Sequence, residues 1–546
     1  MKYFSLILIS LLVTFYSIDA CTNFLITKGA SVDGSNMITY AADAGGFMEP
    51  LFFLPDTDHP EGDSLEVTDW DTGKFLGKIK QVPHTYRVIG NINEWGLSIG
   101  ETTFSGRSEL RDSTGIIDYG SLIRITLQRT KTAREAIKFI DEITKKYGYY
   151  SSGESFSIAD PNEVWLMEII GKEVGNKGLA WVARRIPDGY ISVHANQARI
   201  HELIENDPDN CLYSEDVISF AKKKMIDGKA IYTERNGKFS FADTYNPLDP
   251  GGALYCEGRV WRFYSLATPS TELRTDRFRA VKDAEPYPLY IKPESPISVE
   301  MLTHWMRDHF EGTEYDMTTG LAAGPYGLPY RWKNLSWHLE SDTTKKFGWS
   351  RPICTQQSAW TFISQLRSDM PREIGNVFWY GVDDANTSCY VPLYTTLMSP
   401  PPSLSDGSIT EFSWDVAFWV FNAVANRSYL QYDMISSDIK AVQSSYEKKF
   451  FAMQPSIEKA ALDLYKSDPL LAAEYLADYT TSKWEKVTAS WRTLWTDISV
   501  KYNDGYRNDI KVGNGRQAKG VGYDDEFLQK VVKSRPGFYD KEWRKP

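Results

Sequence analysis

Four times in the first 200 residues, an apolar run, a short polar turn and a second apolar run follow one another. Phe24 to Thr27 leads through Asp33-Gly34 to Met37 to Ala41. Tyr86 to Ile92 leads through Asn93-Glu94-Trp95-Gly96 to Leu97 to Thr102. Phe156 to Ala159 leads through Asp160-Pro161-Asn162 to Val164 to Ile170. Leu179 to Arg184 leads through Pro187-Asp188-Gly189 to Tyr190 to Ala195. Turn residues between short apolar runs predict antiparallel hairpins. Thr132 with Glu135 three residues on forms a capping box. Ala136, Ile137, Ile140 and Ile143 share one helical face, and Gly148 supplies a stop. Hairpins interrupted by amphipathic helices predict an α+β fold with helices on the outer faces of antiparallel sheets.

Pro247 to Ser408 is irregular, with local strand candidates such as Asn376 to Gly381. From Trp414 to about Tyr502 the spacing is helical, with Pro469 as an interruption. The expected organisation is a domain over 21–408 and a mainly helical region over 409–546, ending in an extended or wrapping tail. No internal repeat is visible. Hydrophobic residues make up 42% and charged residues 24%, a globular balance. The net charge of -11 excludes an overall basic footprint for nucleic acid.

The N-terminus predicts export. Lys2 precedes an apolar run from Tyr3 to Tyr16, then Ser17-Ile18-Asp19-Ala20. A positive start, a short apolar stretch and a small residue describe a signal peptide over 1–20. The run is shorter than the roughly 20 residues of a spanning helix, and no second stretch reaches that length. An uncleaved anchor is the alternative. The expected location is periplasmic or extracellular. The cut would fall between Ala20 and Cys21, which gives Cys21 two readings. It is either the lipid-attachment cysteine of a surface lipoprotein or a mature N-terminal residue that does chemistry. Asp19 fits a lipoprotein signal poorly, because a small neutral residue usually stands there. A thiolate is a strong nucleophile but needs a base. An N-terminal α-amine, with an unperturbed pKa of about 7.7–8.0, puts nucleophile and base in one residue.

Several blocks carry a resemblance. CTNFLITKGASVDGSNMITYAAD (Cys21 to Asp43) is similar to the mature start of the C69 family of cysteine dipeptidases. GNINEWGLSIGETT (Gly90 to Thr103), EVWLMEIIG (Glu163 to Gly171), WVARRIPDGYISVHANQARI (Trp181 to Ile200), GRVWR (Gly258 to Arg262) and GPYGLPYR (Gly324 to Arg331) follow in the family's order. The resemblance covers roughly residues 21–400. It implies an αββα sandwich of the N-terminal nucleophile hydrolase kind, and metal-free hydrolysis of dipeptide amides. It also implies roles. Cys21 is the nucleophile and its amine the base. Asp43 holds that amine. Asn196 is the side-chain donor of the oxyanion hole, and Asn93 offers its backbone N–H to the same oxyanion. Arg259 supports the nucleophile, with Arg262 close enough in register to compete. Tyr40 departs from the pattern, since the family often has Arg there. That puts the thiolate's electrostatic support, and the substrate range, in question.

The remaining features point elsewhere. His304 and His309 are five apart, which is not metal-site spacing on a helix, so they are read as structural. Cys211, Cys256, Cys354 and Cys389 allow up to two bridges in three pairings, and spacing does not choose among them. No cofactor and no metal is expected. Asp383-Asp384 and Asp524-Asp525-Glu526 are expected on the solvated surface, and the Trp and Tyr excess in the core. The expected function is an exported cysteine dipeptidase acting on small peptides. The alternatives are an N-acyl amide hydrolase of the same fold and a non-catalytic lipoprotein binding peptides or glycans. Dipeptide side-chain preference and oligomeric state are left open.

Overall fold

The computed structural model describes residues 21–332, 335–508 and 518–539; the expected signal peptide lies outside the described residues. Two large antiparallel sheets dominate. The first has seven strands, in the order Tyr290–Ile291, Ile191–His194, Asn23–Ile26, Asn36–Asp43, Ser358–Leu366, Asn376–Val382 and Val391–Tyr394. The second has eight, in the order Cys211–Tyr213, Leu179–Arg185, Val164–Gly171, Gly153–Ala159, Ser98–Ser105, Ile92–Asn93, Val88–Ile89 and Phe53–Leu54. The molecule is therefore a mixed α+β fold.

Three of the four expected hairpins form. Leu25 pairs with Ile38, Ser98 with Ile92, and Ala159 with Val164. The fourth does not. Leu179–Arg185 pairs with Val164–Gly171 in the second sheet, whereas Ile191–His194 pairs with Asn23–Ile26 in the first. Pro187-Asp188-Gly189 carries the chain from one sheet to the other. A turn sequence fixes a change of direction, and register depends on which partner the face can bury against.

The two sheets meet through a polar seam. Ser98 Oγ lies 2.6 Å from Ser364 Oγ. The buried His194 ring sits between Thr102 Oγ1 and Ser157 Oγ, 2.7 Å from each. A side chain at Gly100 would lie 2.8 Å from the Asn23 amide and 3.4 Å from Tyr40 Cβ, so glycine permits the close approach. Burial, then the Arg199 and Arg259 charges, push the His194 pKa well down. That leaves a neutral ring that suits two hydroxyl partners.

Apolar clusters pack around this seam and against the helices. Tyr119–Arg129 and Ala133–Tyr147 cover the second sheet, packing Leu122, Ile137 and Ile140 in one cluster with Ile99, Phe156, Trp165 and Met167. Thr132 caps the second of these helices through Glu135 N, and Gly148 ends it at φ 78°. On the first sheet, Trp379, Tyr380 and Leu393 share a cluster with Phe421, Ile439, Trp484 and Trp491. Those last four come from the helices Ala417–Ser428, Tyr432–Ser467 and Pro469–Lys501. Asp468 accepts from Leu470 N and Leu471 N at the break that Pro469 makes. Two buried bidentate ion pairs fasten the long helix to the sheet side, Arg307 to Glu447 and Arg367 to Glu458. The expected tail contains the helix Asp525–Ser534, capped by Asp524.

Asp383 and Asp384 correct an expectation. They are 1% and 0% exposed, not on the surface. Asn422 Nδ2 donates to Asp383, and Tyr330 OH and the Cys354 thiol donate to Asp384. Those donors come from distant segments, so the pair reads as surface in the sequence. His309 is buried with Nδ1 3.1 Å from Glu311 Oε1. All five cysteines are free and buried, so none of the three disulfide pairings is present. Among the described residues no helix is long and apolar enough to cross a membrane.

Candidate active site

Cys21 is 4% exposed and leads into the strand Asn23–Ile26. Its Sγ opens on a cavity of about 170 Å³ lined also by Tyr40, Asp43, Phe47, Trp70, Asp71, Glu101, Tyr119 and Trp360. The thiol lies 3.5 Å from Glu101 Oε1 and 3.7 Å from the Tyr40 hydroxyl, which itself donates to Glu101 Oε1 at 2.6 Å. Burial, then the Glu101 and Asp43 carboxylates, push the thiol well above its ordinary pKa; Asp43 N–H and Tyr40 oppose this more weakly. At rest the group is a neutral thiol, and attack requires a base.

Asp43 ends the neighbouring strand Asn36–Asp43 and is fully buried. Its Oδ2 accepts from Arg351 Nη2 and its Oδ1 from Ser358 Oγ, both at 2.5 Å. Burial raises its pKa despite Arg351, Ser358 and Arg259. Arg351 is a residue that sequence reasoning missed. It stands 308 positions from Asp43 in a stretch read as irregular, and no local pattern marks it.

Arg259, from the helix Gly258–Ala267, threads into the same centre. Nη1 donates to Cys21 O at 2.5 Å and Thr22 Oγ1 at 2.9 Å. Nη2 donates to Ala195 O at 3.1 Å and Asn196 Oδ1 at 3.0 Å. One guanidinium thus ties the backbone at Cys21 to Asn196. Its fixed fork is what makes four such bonds feasible. Burial and the nearby Arg351 lower its pKa to about 9. The register with Arg262 is resolved, because Arg262 pairs with Asp308 away from Cys21.

Asn196 follows the strand Ile191–His194 at φ 59°, a left-handed conformation that Asn tolerates better than most residues. Its Nδ2 donates to Thr103 O at 2.8 Å. Arg259 and Thr103 therefore hold opposite ends of one amide.

Asn93 is elsewhere. Its N–H donates to Leu97 O at 2.9 Å, closing its own turn. Its side chain donates to Leu127 O and Thr130 O and accepts from Trp95 N and Leu97 N. With the N–H spent inside the turn, the expected oxyanion contact is not made. Asn93 instead fastens the hairpin to the C-terminal end of the Tyr119–Arg129 helix.

The structure thus brings Cys21, Asp43, Asn196 and Arg259 together, adds Arg351, Ser358, Glu101 and Asp71, and leaves Asn93 out. Among the described residues no group of His, Cys, Asp and Glu side chains is arranged to hold a metal ion.

A buried thiol beside an aromatic- and acid-lined cavity is the centre of the candidate site. The model of peptidase family C69 matches residues 51–445, and the chain belongs to that family. A probable dipeptidase of Salmonella dublin is 26% identical over 71% of this chain and 84% of its own length. Probable dipeptidase B of Streptococcus pyogenes serotype M1 is 25% identical over 86% and 90%. Dipeptidase A of Lactobacillus helveticus is 24% identical over 80% and 87%.

Proposed function

We propose that this chain is an exported dipeptidase whose nucleophile is Cys21, freed as an N-terminal residue by removal of residues 1–20. The observation that carries the reading is the placement of the Cys21 thiol at a cavity, with Asn196 and Arg259 fixed around its backbone. The names of the relatives support the substrate class. The two facing sheets with helices outside them support the αββα, N-terminal nucleophile form of the fold.

In this mechanism the α-amine of Cys21 takes the thiol proton, and the thiolate attacks the scissile carbonyl carbon. The carbonyl π electrons move to oxygen, and the Asn196 amide stabilises the resulting oxyanion. As the tetrahedral intermediate collapses, the C–N bond breaks and the ammonium of Cys21 protonates the departing amine. Water then attacks the thioester, again losing a proton to the α-amine, and the acid leaves with Cys21 restored. Asp43, held by Arg351 and Ser358, orients the amine. Arg259 is a positioning residue, because its bonds go to Cys21 O and Asn196 rather than to Sγ. Burial of the thiol favours this reading over a lipid anchor, because a diacylglyceryl thioether would have to leave the cavity.

The test is mass spectrometry of the secreted protein together with dipeptide hydrolysis. The expected result is an unmodified N-terminal Cys21 and turnover that vanishes in Cys21→Ser. A thioether-linked lipid on Cys21, or full activity in Cys21→Ser, would overturn it.

A further inference from the structure

The cavity beside Cys21 changes character from floor to mouth. Cys21, Tyr40 and Trp360 are buried, Phe47, Trp70 and Tyr119 are half-buried, and Asp71 is exposed. Between the two ends the lining is aromatic. The Trp70 ring centroid lies 5.5 Å from that of Tyr119 and 6.1 Å from that of Trp360, and Phe47 lies 5.5 Å from Trp360. The hydrolytic steps use none of these rings.

Asp71 differs from the other carboxylates of the cavity. Asp43 is paired with Arg351, and Glu101 accepts from Tyr40 and interacts with Glu154, all in the interior. Asp71 instead sits in the turn Trp70-Asp71-Thr72-Gly73, at the tip of the ribbon Ser64–Thr68 and Phe75–Lys80, which belongs to neither large sheet. Its Oδ1 accepts from Tyr119 OH at 2.9 Å, and among the described residues it forms no ion pair. Asp69, in the same turn, adds a like charge. The cations of the surrounding segments are engaged elsewhere. Arg111 donates to Tyr150 O and stacks on that ring, Lys74 stacks on the same ring, and Arg124 pairs with Glu49 while stacking on Trp70. No Lys or Arg lines the cavity itself.

Aromatic walls that end in a carboxylate suit a side chain with a long apolar stem and a cationic tip. Lysine packs its four-carbon stem on apolar surface and keeps its ammonium at the rim. Ring faces also favour a cation over a neutral tip. Like charge decides which residue of a dipeptide enters. The C-terminal carboxylate belongs to the leaving residue, and in this cavity it would meet Asp71. The side chain that enters is therefore that of the acyl residue.

We infer that the cavity is the subsite for the acyl residue's side chain, with Phe47, Trp70, Tyr119 and Trp360 around its stem and Asp71 selecting a basic tip, lysine or arginine. This rests on the dipeptidase reading and adds a side-chain preference to it.

The test compares L-lysyl-L-alanine with L-norleucyl-L-alanine, which keeps the stem and the α-amine and lacks only the side-chain ammonium, on the mature chain beginning at Cys21. Expected for the wild type is a kcat/KM about tenfold or more higher for the lysyl substrate, mainly through KM. In Asp71→Asn that ratio is expected to fall to within about threefold of unity. L-alanyl-L-lysine against L-alanyl-L-norleucine should stay within about threefold of unity in the wild type, because the leaving residue lies outside the cavity. A wild-type lysyl-to-norleucyl ratio of one or less, a ratio that Asp71→Asn leaves unchanged, or a basic preference confined to the leaving residue would overturn the inference and leave the dipeptidase standing. If Asp71→Asn fails to fold, the wild-type ratios decide alone. No hydrolysis of any dipeptide by the wild type would overturn the dipeptidase reading, and this inference with it.

Discussion

Cys21 sits between two kinds of buried charge. On one side, Arg259 and Arg351 meet acceptors supplied by the protein itself: Cys21 O, Ala195 O, Asn196 and Asp43. On the other, Glu101, Asp71 and, behind them, Glu154 gather carboxylates around a cavity, with tyrosines as their neighbours. Burial and then Glu101 hold Glu154 well above the ordinary carboxylate range. The arginine side has its charges satisfied within the fold and serves to position atoms. The acid side gathers its carboxylates around the cavity, with hydroxyl donors from Tyr40 and Tyr119. The same thiol therefore lies between an arginine-held wall and an acid-lined one.

The thiol itself gives the largest expected effect. Cys21→Ala removes the nucleophile and should lower kcat/KM on a dipeptide by about 10⁴-fold or more, with little change in thermal unfolding. A residual activity within tenfold of wild type would mean that neither wall serves this sulfur. Next comes Arg351→Ala. It strands Asp43 as a buried charge and should cost about 3–5 kcal/mol in denaturant unfolding, because breaking a buried pair leaves its partner unsolvated. A double variant, Arg351→Met with Asp43→Asn, should recover part of that stability while staying inactive. If Arg351→Ala costs under about 1 kcal/mol, the arginine side is not the matched scaffold described above.

Much of the local architecture was legible because it is written within a few residues. The Thr132 capping box, the Gly148 stop, the break at Pro469 and three of the four hairpins depend on neighbours in sequence. So was the core of the site: Cys21, Asp43, Asn196 and Arg259 do converge. What escaped was decided by distant partners. The turn at Pro187-Asp188-Gly189 looked like a hairpin tip, yet its two strands belong to different sheets. Asp383-Asp384 looked solvated because its donors, Tyr330 and Asn422, lie 54 and 39 positions away. Arg351 had no motif, and the acid wall was invisible because Glu101 and Asp71 come together only when the cavity forms. Asn93 was placed in the oxyanion hole by analogy of its turn, but that turn consumes its own N–H.

Glu168 measures how far order on the arginine side depends on backbone donors rather than charge pairing. It accepts from Arg199 N and Ile200 N, just beyond Asn196. Burial outweighs those bonds and raises its carboxyl to about 7, against about 4.3 in an unfolded chain. The folded state thus binds the proton more tightly. Its contribution is fully present below about pH 4.3, declines as pH rises, and is lost through about pH 7, a change on the order of 3 kcal/mol. Urea unfolding across pH 4–8 should show Glu168→Gln with a flatter profile than wild type. Parallel profiles would mean that Glu168 titrates alike in both states.

The smallest expected effect is on the acid side itself. Tyr40→Phe deletes the hydroxyl that donates to Glu101 and leaves the ring against Trp360 and Phe362 in place. A neutral donor to a carboxylate beside a cavity that admits water is worth about 1–2 kcal/mol of stability. That is well below the cost set for Arg351→Ala, because deleting a neutral donor breaks no ion pair. The two variants measured side by side by denaturant unfolding decide the matter. A clear gap means that the walls are built for different purposes. Equal losses would mean that Glu101 depends on its hydroxyl donor as much as Asp43 depends on its arginine, and the contrast between the two walls would fall.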